Sequence, residues 1–302
     1  MTLVTAAVRN RAYVVQGSDR ACATADLDGS NAQPDPTPPP LGPKARQISD
    51  WATVSCAGCV VRSAHFLALL AERVAPDDDV DVVAAAAAEA FGLVQTDPVP
   101  YWTFPDGQRR PNSAGAMVYG FLIAGFRRDG TGYLGNIHLA ADRTFRIYEW
   151  KGDNGEAEKM FATPLGAAAD ETEAALIRVD PATLDVAGAA ADAFDSHRAF
   201  RRLHSTFVSE TFELTILRWR GEGMKPAVGH VVSGPNFLRA DALDLVDIAT
   251  SHAIETPTVV EQVGPPEPHK SALPSYAERP SHPLRHPSSR KKRKRRRRSA
   301  SR

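Results

Sequence analysis

The composition of this chain excludes a fibrous, collagen-like or fully disordered protein. Its 302 residues are 43% hydrophobic and 24% charged, which is the balance of a globular protein with a buried core. No apolar run reaches the roughly 20 residues that cross a bilayer, and the first residues lack the basic and apolar regions of a signal peptide, so we expect a cytoplasmic protein without membrane contact.

The N-terminal part of the chain predicts two short strand pairs. Apolar residues over Thr2–Val8 and Ala12–Gln16 flank a polar turn, which is typical of a β-hairpin. Residues 22–43 are dense in Pro, Asp and Gly and predict a loop. Residues 44–48 and 51–56 then predict a second short hairpin.

Two helices are predicted to follow this second hairpin. Beyond Gly58, apolar side chains recur at the three- and four-residue spacing of an amphipathic helix. They are Val61, Ala64, Leu67, Leu70 and Val74. Residues 77–79 are three aspartates, which supply the acidic first turn of a second, Ala-rich helix over Val80–Val94.

The middle of the chain returns to strands and then to helices. Residues 98–111, rich in Pro and aromatic side chains, predict a loop. Three further strands are predicted, over Ala116–Phe126, Tyr133–Leu139 and Phe145–Trp150. A helical pair over Ala167–Ile177 and Pro181–His204 precedes a strand over Thr211–Trp219. Because strands and helices fall in separate blocks, we expect a layered α+β fold rather than a doubly wound parallel sheet.

Beyond residue 220 the periodic pattern weakens and the charge becomes asymmetric. One more strand and a short helix are predicted within residues 228–252, and Pro, Ser and His dominate from residue 256. Residues 264–302 hold 13 Lys and Arg against two Asp and Glu, whereas the rest of the chain holds 23 against 34. We expect one domain over 2–220, an extension over 221–263 and a disordered, Pro-rich and polybasic tail over 264–302.

The tail contains nine consecutive basic residues, 290–298. Such a run attracts polyanions through phosphate contacts without reading a sequence. It has no interleaved aromatic side chains, so stacking on bases is not indicated. Binding of nucleic acid, docking or targeting through acidic protein surfaces, and a tail without a role are three open interpretations.

The three cysteines are too few for a disulfide framework. Cys56 and Cys59 have the C-x-x-C spacing, but the sequence offers no second pair to complete a four-ligand zinc site. A redox role for the pair is the alternative to our interpretation, in which Cys59 is a buried packing residue. His282 and His286 have no carboxylate or Cys partner near them in the sequence, so we expect neither a metal nor a cofactor.

Five short motifs follow one another along the first half of the chain. They are Thr2-Leu-Val, Gly17-Ser-Asp-Arg-Ala21, Lys44-Ala-Arg-Gln-Ile48, Cys56-Ala-Gly58 and Gly120-Phe-Leu-Ile-Ala-Gly125. In order and spacing they resemble the N-terminal-nucleophile hydrolases, and among these the proteasome β-subunits. The likeness covers about residues 2–220 and rests on the order of elements alone beyond Trp150.

The resemblance implies a four-layer α-β-β-α sandwich and a threonine-type endopeptidase or amidohydrolase. Removal of Met1 would expose the α-amine of Thr2, whose ordinary pKa of about 8 leaves a useful neutral fraction to take the Thr2 hydroxyl proton. Lys44 would lower that pKa through repulsion between like charges, and the Gly58 N–H would hold the oxyanion. Peptide or protein substrates, a homo-oligomeric ring and an ATPase partner belong to the same expectation.

The residues that support the nucleophile in this family are matched less closely. The aspartate that orients the lysine is expected at Ser18, or at Asp19 after a shift of one residue. The residues that support the threonine amine are expected at Asp195 and Ser209, and the Ser-Gly pair expected around residues 163–166 is not intact. A non-catalytic scaffold subunit of the same fold, whose tail binds polyanions or partner proteins, is therefore the second hypothesis.

Overall fold

The computed structural model describes residues 3–19, 23–24, 33–34, 44–96, 100–111, 118–139, 145–162, 179–203, 208–209, 211–233 and 258–262. The chain divides into two units, residues 1–266 and 267–302, and every described residue lies in the first. This unit is a mixed α+β protein whose strands are mostly antiparallel. Among the described residues, no helix is long and apolar enough to cross a membrane.

The described elements alternate between blocks of strands and helices. In chain order they are β1 (Val4–Arg9), β2 (Tyr13–Asp19), β3 (Ala23–Thr24), β4 (Gln33–Pro34), β5 (Ala45–Ser49), β6 (Ala52–Gly58), α1 (Val60–Ala71), α2 (Val80–Thr96), β7 (Tyr101–Thr103), β8 (Arg109–Pro111), β9 (Val118–Phe126), β10 (Gly132–Leu139), β11 (Phe145–Lys151), β12 (Ala157–Ala162), α3 (Val186–Leu203), β13 (Phe212–Arg218), β14 (Ala227–Ser233) and β15 (Thr258–Gln262).

Two large sheets organise these strands. One has six strands in the order β12-β1-β2-β13-β14-β15, and the other has five in the order β11-β10-β9-β6-β5. All neighbours pair antiparallel except β14 and β15, which pair parallel. The strand pairs β3–β4 and β7–β8 form separate two-stranded sheets.

Helices α1 and α2 cover one face of the five-stranded sheet. Their amphipathic spacing turns apolar side chains toward β6, β9 and β10, where they form one buried cluster. Aromatic rings from α1, α2 and β9 pack there with centroids 4.8–6.5 Å apart, and these are Phe66, Phe91 and Phe121. Ala87 and Ala90 of α2 are fully buried, and their small side chains allow this helix to pack closely on the sheet.

The two sheets face each other across a second apolar cluster. It takes Val4, Ala6 and Val8 from β1 and Leu122, Ala124 and Phe126 from β9. Thr5 and Ala7, which alternate with these residues on β1, are also buried, so the strand is covered on both faces. A third cluster joins the other face of the six-stranded sheet to α3, through residues that include Tyr13, Val15, Phe194 and Phe212.

A three-residue turn sets the register of the first hairpin. Arg9 pairs with Tyr13, so residues 10–12 form the loop, and Arg11 adopts a left-handed φ of 50°. A glycine is usual at such a position, and Arg11 is held there because its amide donates to the Gly130 carbonyl over 2.8 Å. This register places Ser18 opposite Val4 and leaves Asp19 at the end of β2.

Most of the strands and helices predicted from the sequence are present within a few residues of their expected bounds. Both N-terminal hairpins, helices α1 and α2, strands β9–β11, helix α3 and strand β13 are confirmed. One more strand and a short helix were expected within residues 228–252. Strand β14 (Ala227–Ser233) is that strand, and residues 234–252 lie outside the described residues. The helix predicted over Ala167–Ile177 and the tail predicted over residues 264–302 lie outside the described residues.

Three predictions of loop or disorder were wrong, and one strand, β12, was missed. Strands β3 and β4 lie in the predicted loop 22–43, and β7 and β8 lie in the predicted loop 98–111, where Trp102 packs on His65 of α1 at 5.7 Å. Strand β15 extends past residue 256 by pairing with β14. Strand β12 was not expected because Lys159 occupies a buried position on it, paired with Asp192 of α3, so its alternation reads as polar.

A methyl group at Gly17 is expected to destabilise the fold by about 1–3 kcal/mol, because it overpacks a filled core. A Cβ there would lie 2.4 Å from Cζ of Phe212, which is fully buried. Urea unfolding of Gly17→Ala measures the loss. The matched control is Gly92→Ala on α2, where nothing lies within 4 Å and a helix former is expected to be neutral or stabilising. Equal unfolding midpoints for the two variants would contradict the prediction.

Candidate active site

Several strand ends converge at one end of the two sheets. Leu3 immediately precedes β1, Asp19 ends β2, and Ser209 lies just ahead of β13, whose first residue pairs with Asp19. Lys44 precedes β5 in the other sheet, and Gly58 ends β6, the antiparallel partner of β5. The topology therefore brings five of the sequence-predicted segments to the same end of the fold.

The Asp19 carboxylate is the centre of this arrangement, and it is fully buried. Its Oδ1 accepts a hydrogen bond from the Leu3 amide over 3.1 Å and lies 3.5 Å from the Lys44 ammonium nitrogen. Its Oδ2 lies 3.5 Å from the Ser209 amide nitrogen, which donates to it. A buried carboxylate needs such partners, because an isolated charge without water is strongly unfavourable.

Lys44 is held in place through the residue that follows it. The Ala45 amide donates to Oγ of Ser18 over 3.2 Å, and the Ala45 carbonyl accepts from Oγ1 of Thr215 over 2.9 Å. Both partners belong to the six-stranded sheet, so the start of β5 is fixed by hydrogen bonds from β2 and β13. The Lys44 side chain is 11% exposed, and its ammonium lies beside Asp19 at the edge of the core.

Gly58 lies where β6 passes into α1. Its φ is 123°, a conformation that a side chain would strain, and Cys59 then caps α1 in an extended conformation without a side-chain hydrogen bond. The glycine in Cys56-Ala-Gly58 is favoured because this turn requires a positive φ. Backbone N–H groups at the start of a helix have no intrahelical acceptors and suit a negatively charged oxygen.

The cysteine pair at the same junction has two different environments. Cys56 is buried, and this burial raises the pKa of its thiol to about 12, so it stays protonated. Cys59 is partly exposed, so the expectation that it is buried was wrong. Both are free cysteines, and within the described residues no group of three or more His, Cys, Asp or Glu could hold a metal ion.

The predicted site residues occupy different positions in the structure. Asp19, Lys44 and Ser209 are brought together, whereas Ser18 binds the Ala45 amide between the sheets. Asp195 lies on the exposed side of α3, because the buried positions around it are taken by Phe194 and Ser196. Its expected role as a support of the Thr2 amine stays a prediction. Thr2 lies outside the described residues.

One buried polar residue beside this cluster was missed by sequence reasoning. His197 of α3 is 3% exposed, its Nε2 lies 3.0 Å from the Ser209 carbonyl oxygen, and its ring stacks on Phe212 with centroids 4.5 Å apart. The available signal was its position on the apolar face of a helix. Ala190, Ala193, Phe194 and Phe200 recur around it at helical spacing and are all buried.

Burial of His197 is expected to make the stability of the fold depend on pH. Burial lowers its pKa to about 4, below the ordinary value of 6.5, so the unfolded chain binds the proton more readily. This contribution is fully present above pH 6.5 and is lost as the pH falls toward 4, by about 2 kcal/mol between pH 7 and 5. Urea unfolding at both pH values measures it, and His197→Gln should lack this part. An equal pH dependence in the variant would contradict the prediction.

Comparisons with known proteins find no match for this chain, neither among the models of protein families nor among curated proteins. The site is therefore interpreted from its own residues. The buried Asp19 carboxylate interacts with both the Lys44 ammonium and the Leu3 amide, so it can hold a positive charge beside the N-terminal strand. Such a charge lowers the pKa of a nearby amine.

Proposed function

We propose that this chain is a threonine-type N-terminal-nucleophile hydrolase, similar to the proteasome β-subunits, that cleaves peptide or other amide bonds through an acyl-enzyme on Thr2. The observation that carries the proposal is the buried Asp19 carboxylate, shared between the Lys44 ammonium and the Leu3 amide. Leu3 directly follows Thr2 in the chain, so this charge pair binds the backbone next to the proposed nucleophile.

The proposed mechanism begins when removal of Met1 frees the α-amine of Thr2. The neutral amine takes the proton from the Thr2 hydroxyl, whose oxygen attacks the carbonyl carbon of the scissile amide. Lys44, oriented by Asp19, keeps the amine neutral by repelling a second positive charge. The Gly58 N–H stabilises the oxyanion, the proton passes to the departing amine, and water then hydrolyses the ester on Thr2.

A four-layer α-β-β-α sandwich is part of this proposal. Its support is the order of the three apolar clusters, since α1 and α2 pack on the five-stranded sheet, the two sheets pack on each other, and α3 packs on the six-stranded sheet. A homo-oligomeric ring, with protein substrates and an ATPase partner, is the assembly in which such a hydrolase would work.

A second candidate function is a non-catalytic scaffold subunit of the same fold. The observation that favours it is the Ser-Gly pair expected around residues 163–166, which is not intact in the sequence. In this case the cluster around Asp19 would serve only to fix the N-terminal strand. Reaction of Thr2 with a probe separates the two functions.

Intact-mass spectrometry with a β-lactone probe tests the proposal. The purified, assembled protein should lack Met1 and should gain the mass of one probe molecule, because the probe acylates a free N-terminal threonine. Thr2→Ala should remove this labelling, whereas Thr5→Ala, a buried threonine of β1, should retain it. A retained Met1, an acetylated Thr2 or labelling that persists in Thr2→Ala would refute the hydrolase. Correct processing without labelling would favour the scaffold.

The polybasic tail, which lies outside the described residues, is proposed to bind polyanions such as nucleic acid. Deleting residues 290–302 is expected to abolish retention on a heparin column, because it removes the nine consecutive basic residues that would contact the sulfate groups. Retention of the intact protein should fall steeply as the salt concentration rises. The thermal midpoint should stay within about 1 °C, since a run of basic residues has no apolar side chains to add to a core. Elution of the truncated protein at an unchanged salt concentration would contradict polyanion binding. A thermal midpoint several degrees lower would indicate that the tail docks on acidic side chains of the preceding residues.

A further inference from the structure

A chain of hydrogen bonds leads from helix α3 to the buried carboxylate. Nε2 of His197 lies 3.0 Å from the carbonyl oxygen of Ser209, and the amide of the same residue donates to Oδ2 of Asp19 over 3.5 Å. The hydroxyl of Ser209 donates to the Thr211 carbonyl over 2.6 Å. Three groups of one residue are thus engaged, which fixes the backbone where the chain enters β13.

The ring of His197 is itself held on two sides. It is 3% exposed, and it stacks on Phe212, whose backbone pairs with Asp19 in the sheet. The charged groups that act on the ring are Arg198 and Arg201 of its own helix, and both disfavour a positive imidazole. The ring is therefore neutral, and because a carbonyl only accepts, Nε2 carries the hydrogen.

We infer that His197 is a positioning residue for the proposed acylation. By donating to the Ser209 carbonyl, it holds the backbone of residue 209 in the conformation in which the amide, on the preceding peptide unit, faces Asp19, and Asp19 in turn orients Lys44. This inference rests on the proposed function, but the hydrogen-bond chain is independent of activity. Small displacements of groups that position a reacting centre reduce rates by large factors.

Two neutral amides at position 197 provide a matched pair of variants. The amide nitrogen of Gln reaches the place of Nε2 and can donate to the Ser209 carbonyl, whereas the amide nitrogen of Asn is one methylene shorter and falls near the place of Nδ1. Both variants lose the aromatic ring and its stacking on Phe212, so their difference isolates the hydrogen bond. His197→Phe keeps a ring without a donor and serves if His197→Asn does not fold.

Hydrogen exchange at the Ser209 amide is the first measurement, because it needs no activity. In His197→Asn the exchange rate of this amide should rise about tenfold, while the rate at Leu214 in the middle of β13 stays near its wild-type value. His197→Gln should keep most of the protection. Equal exchange at Ser209 in the wild type, in His197→Asn and in His197→Phe would overturn the inference, whatever the outcome of the labelling experiment.

The second measurement is the rate of labelling by the β-lactone probe as a function of its concentration and of pH. His197→Asn should lower the maximal labelling rate about tenfold with little change in the half-saturating concentration, because positioning affects the reacting step. His197→Gln should restore this rate at every pH measured. A wild-type protein that does not label contradicts the hydrolase, whereas normal labelling of His197→Asn contradicts only the role of His197.

Discussion

Replacing Lys44 with Ala is expected to slow acylation of Thr2 by about 10²–10⁴-fold, the range of a positioned proton-transfer system. Without the ammonium group, nothing at that point lowers the pKa of the amine, and less of the amine is neutral at pH 7. The half-saturating probe concentration should change little. Probe labelling followed by intact mass gives the rate, and near wild-type labelling by a folded variant would show that another lysine serves Thr2.

Lys44→Arg separates catalysis from stability. Removing the ammonium beside a buried carboxylate destabilises the fold, by up to about 3 kcal/mol, because Asp19 keeps its charge and loses a partner. Arg restores that charge and should recover most of the unfolding midpoint. It should recover little of the labelling rate, since its planar guanidinium places its donors differently. Recovery of both quantities would indicate that any cation suffices there.

The second large effect is expected for Asp19→Asn, which should reduce labelling by at least about 10²-fold. An amide has the shape of the carboxylate but not its charge, so it no longer fixes the Lys44 ammonium. If its oxygen accepts from the Leu3 amide, its NH₂ group faces the Ser209 N–H, and two donors then oppose each other. Labelling kinetics and urea unfolding together measure both losses.

Ser18→Ala is the control for this variant. Ser18 is the adjacent residue, is equally buried, and its hydroxyl accepts a hydrogen bond from the Ala45 amide across the sheets. Its loss leaves one buried donor without its acceptor, which costs about 1–3 kcal/mol of stability, and we expect only a few-fold change in labelling. A larger rate loss in Ser18→Ala than in Asp19→Asn would reverse the assignment of the orienting group.

The sequence predicts the fold better than the details of the site. Hydrophobic periodicity locates the helices because one face of each is buried, and short apolar runs locate strands such as β1, which is buried on both faces. It fails at β12, where Lys159 is buried against Asp192, since a charge at an inward position reads as exposed. It also fails at β7–β8, which pack on α1 through Trp102 rather than through alternation.

The choice between Ser18 and Asp19 depends on a register that the sequence does not disclose. A shift of one residue moves every side chain of a strand to the opposite face. The turn before β2 has three residues, and Arg11 adopts a left-handed conformation in it. A glycine at this position would have indicated such a turn, but an arginine does not. Asp195 and His197 differ in the same way, because two residues of one helix lie on different faces, and only the packing of α3 on the sheet decides which is buried.

The pairing of β1 on both edges also sets an order of events during synthesis. Strand β1 pairs with β2 after a turn of three residues, but its other edge waits for β12, where Met160 pairs with Ala6. At the usual speeds of translation, roughly 10–30 s separate the emergence of these partners from the ribosome. The first strand is therefore open on one side throughout that interval, and an enzyme that removes Met1 has this time to act before the sheet is complete.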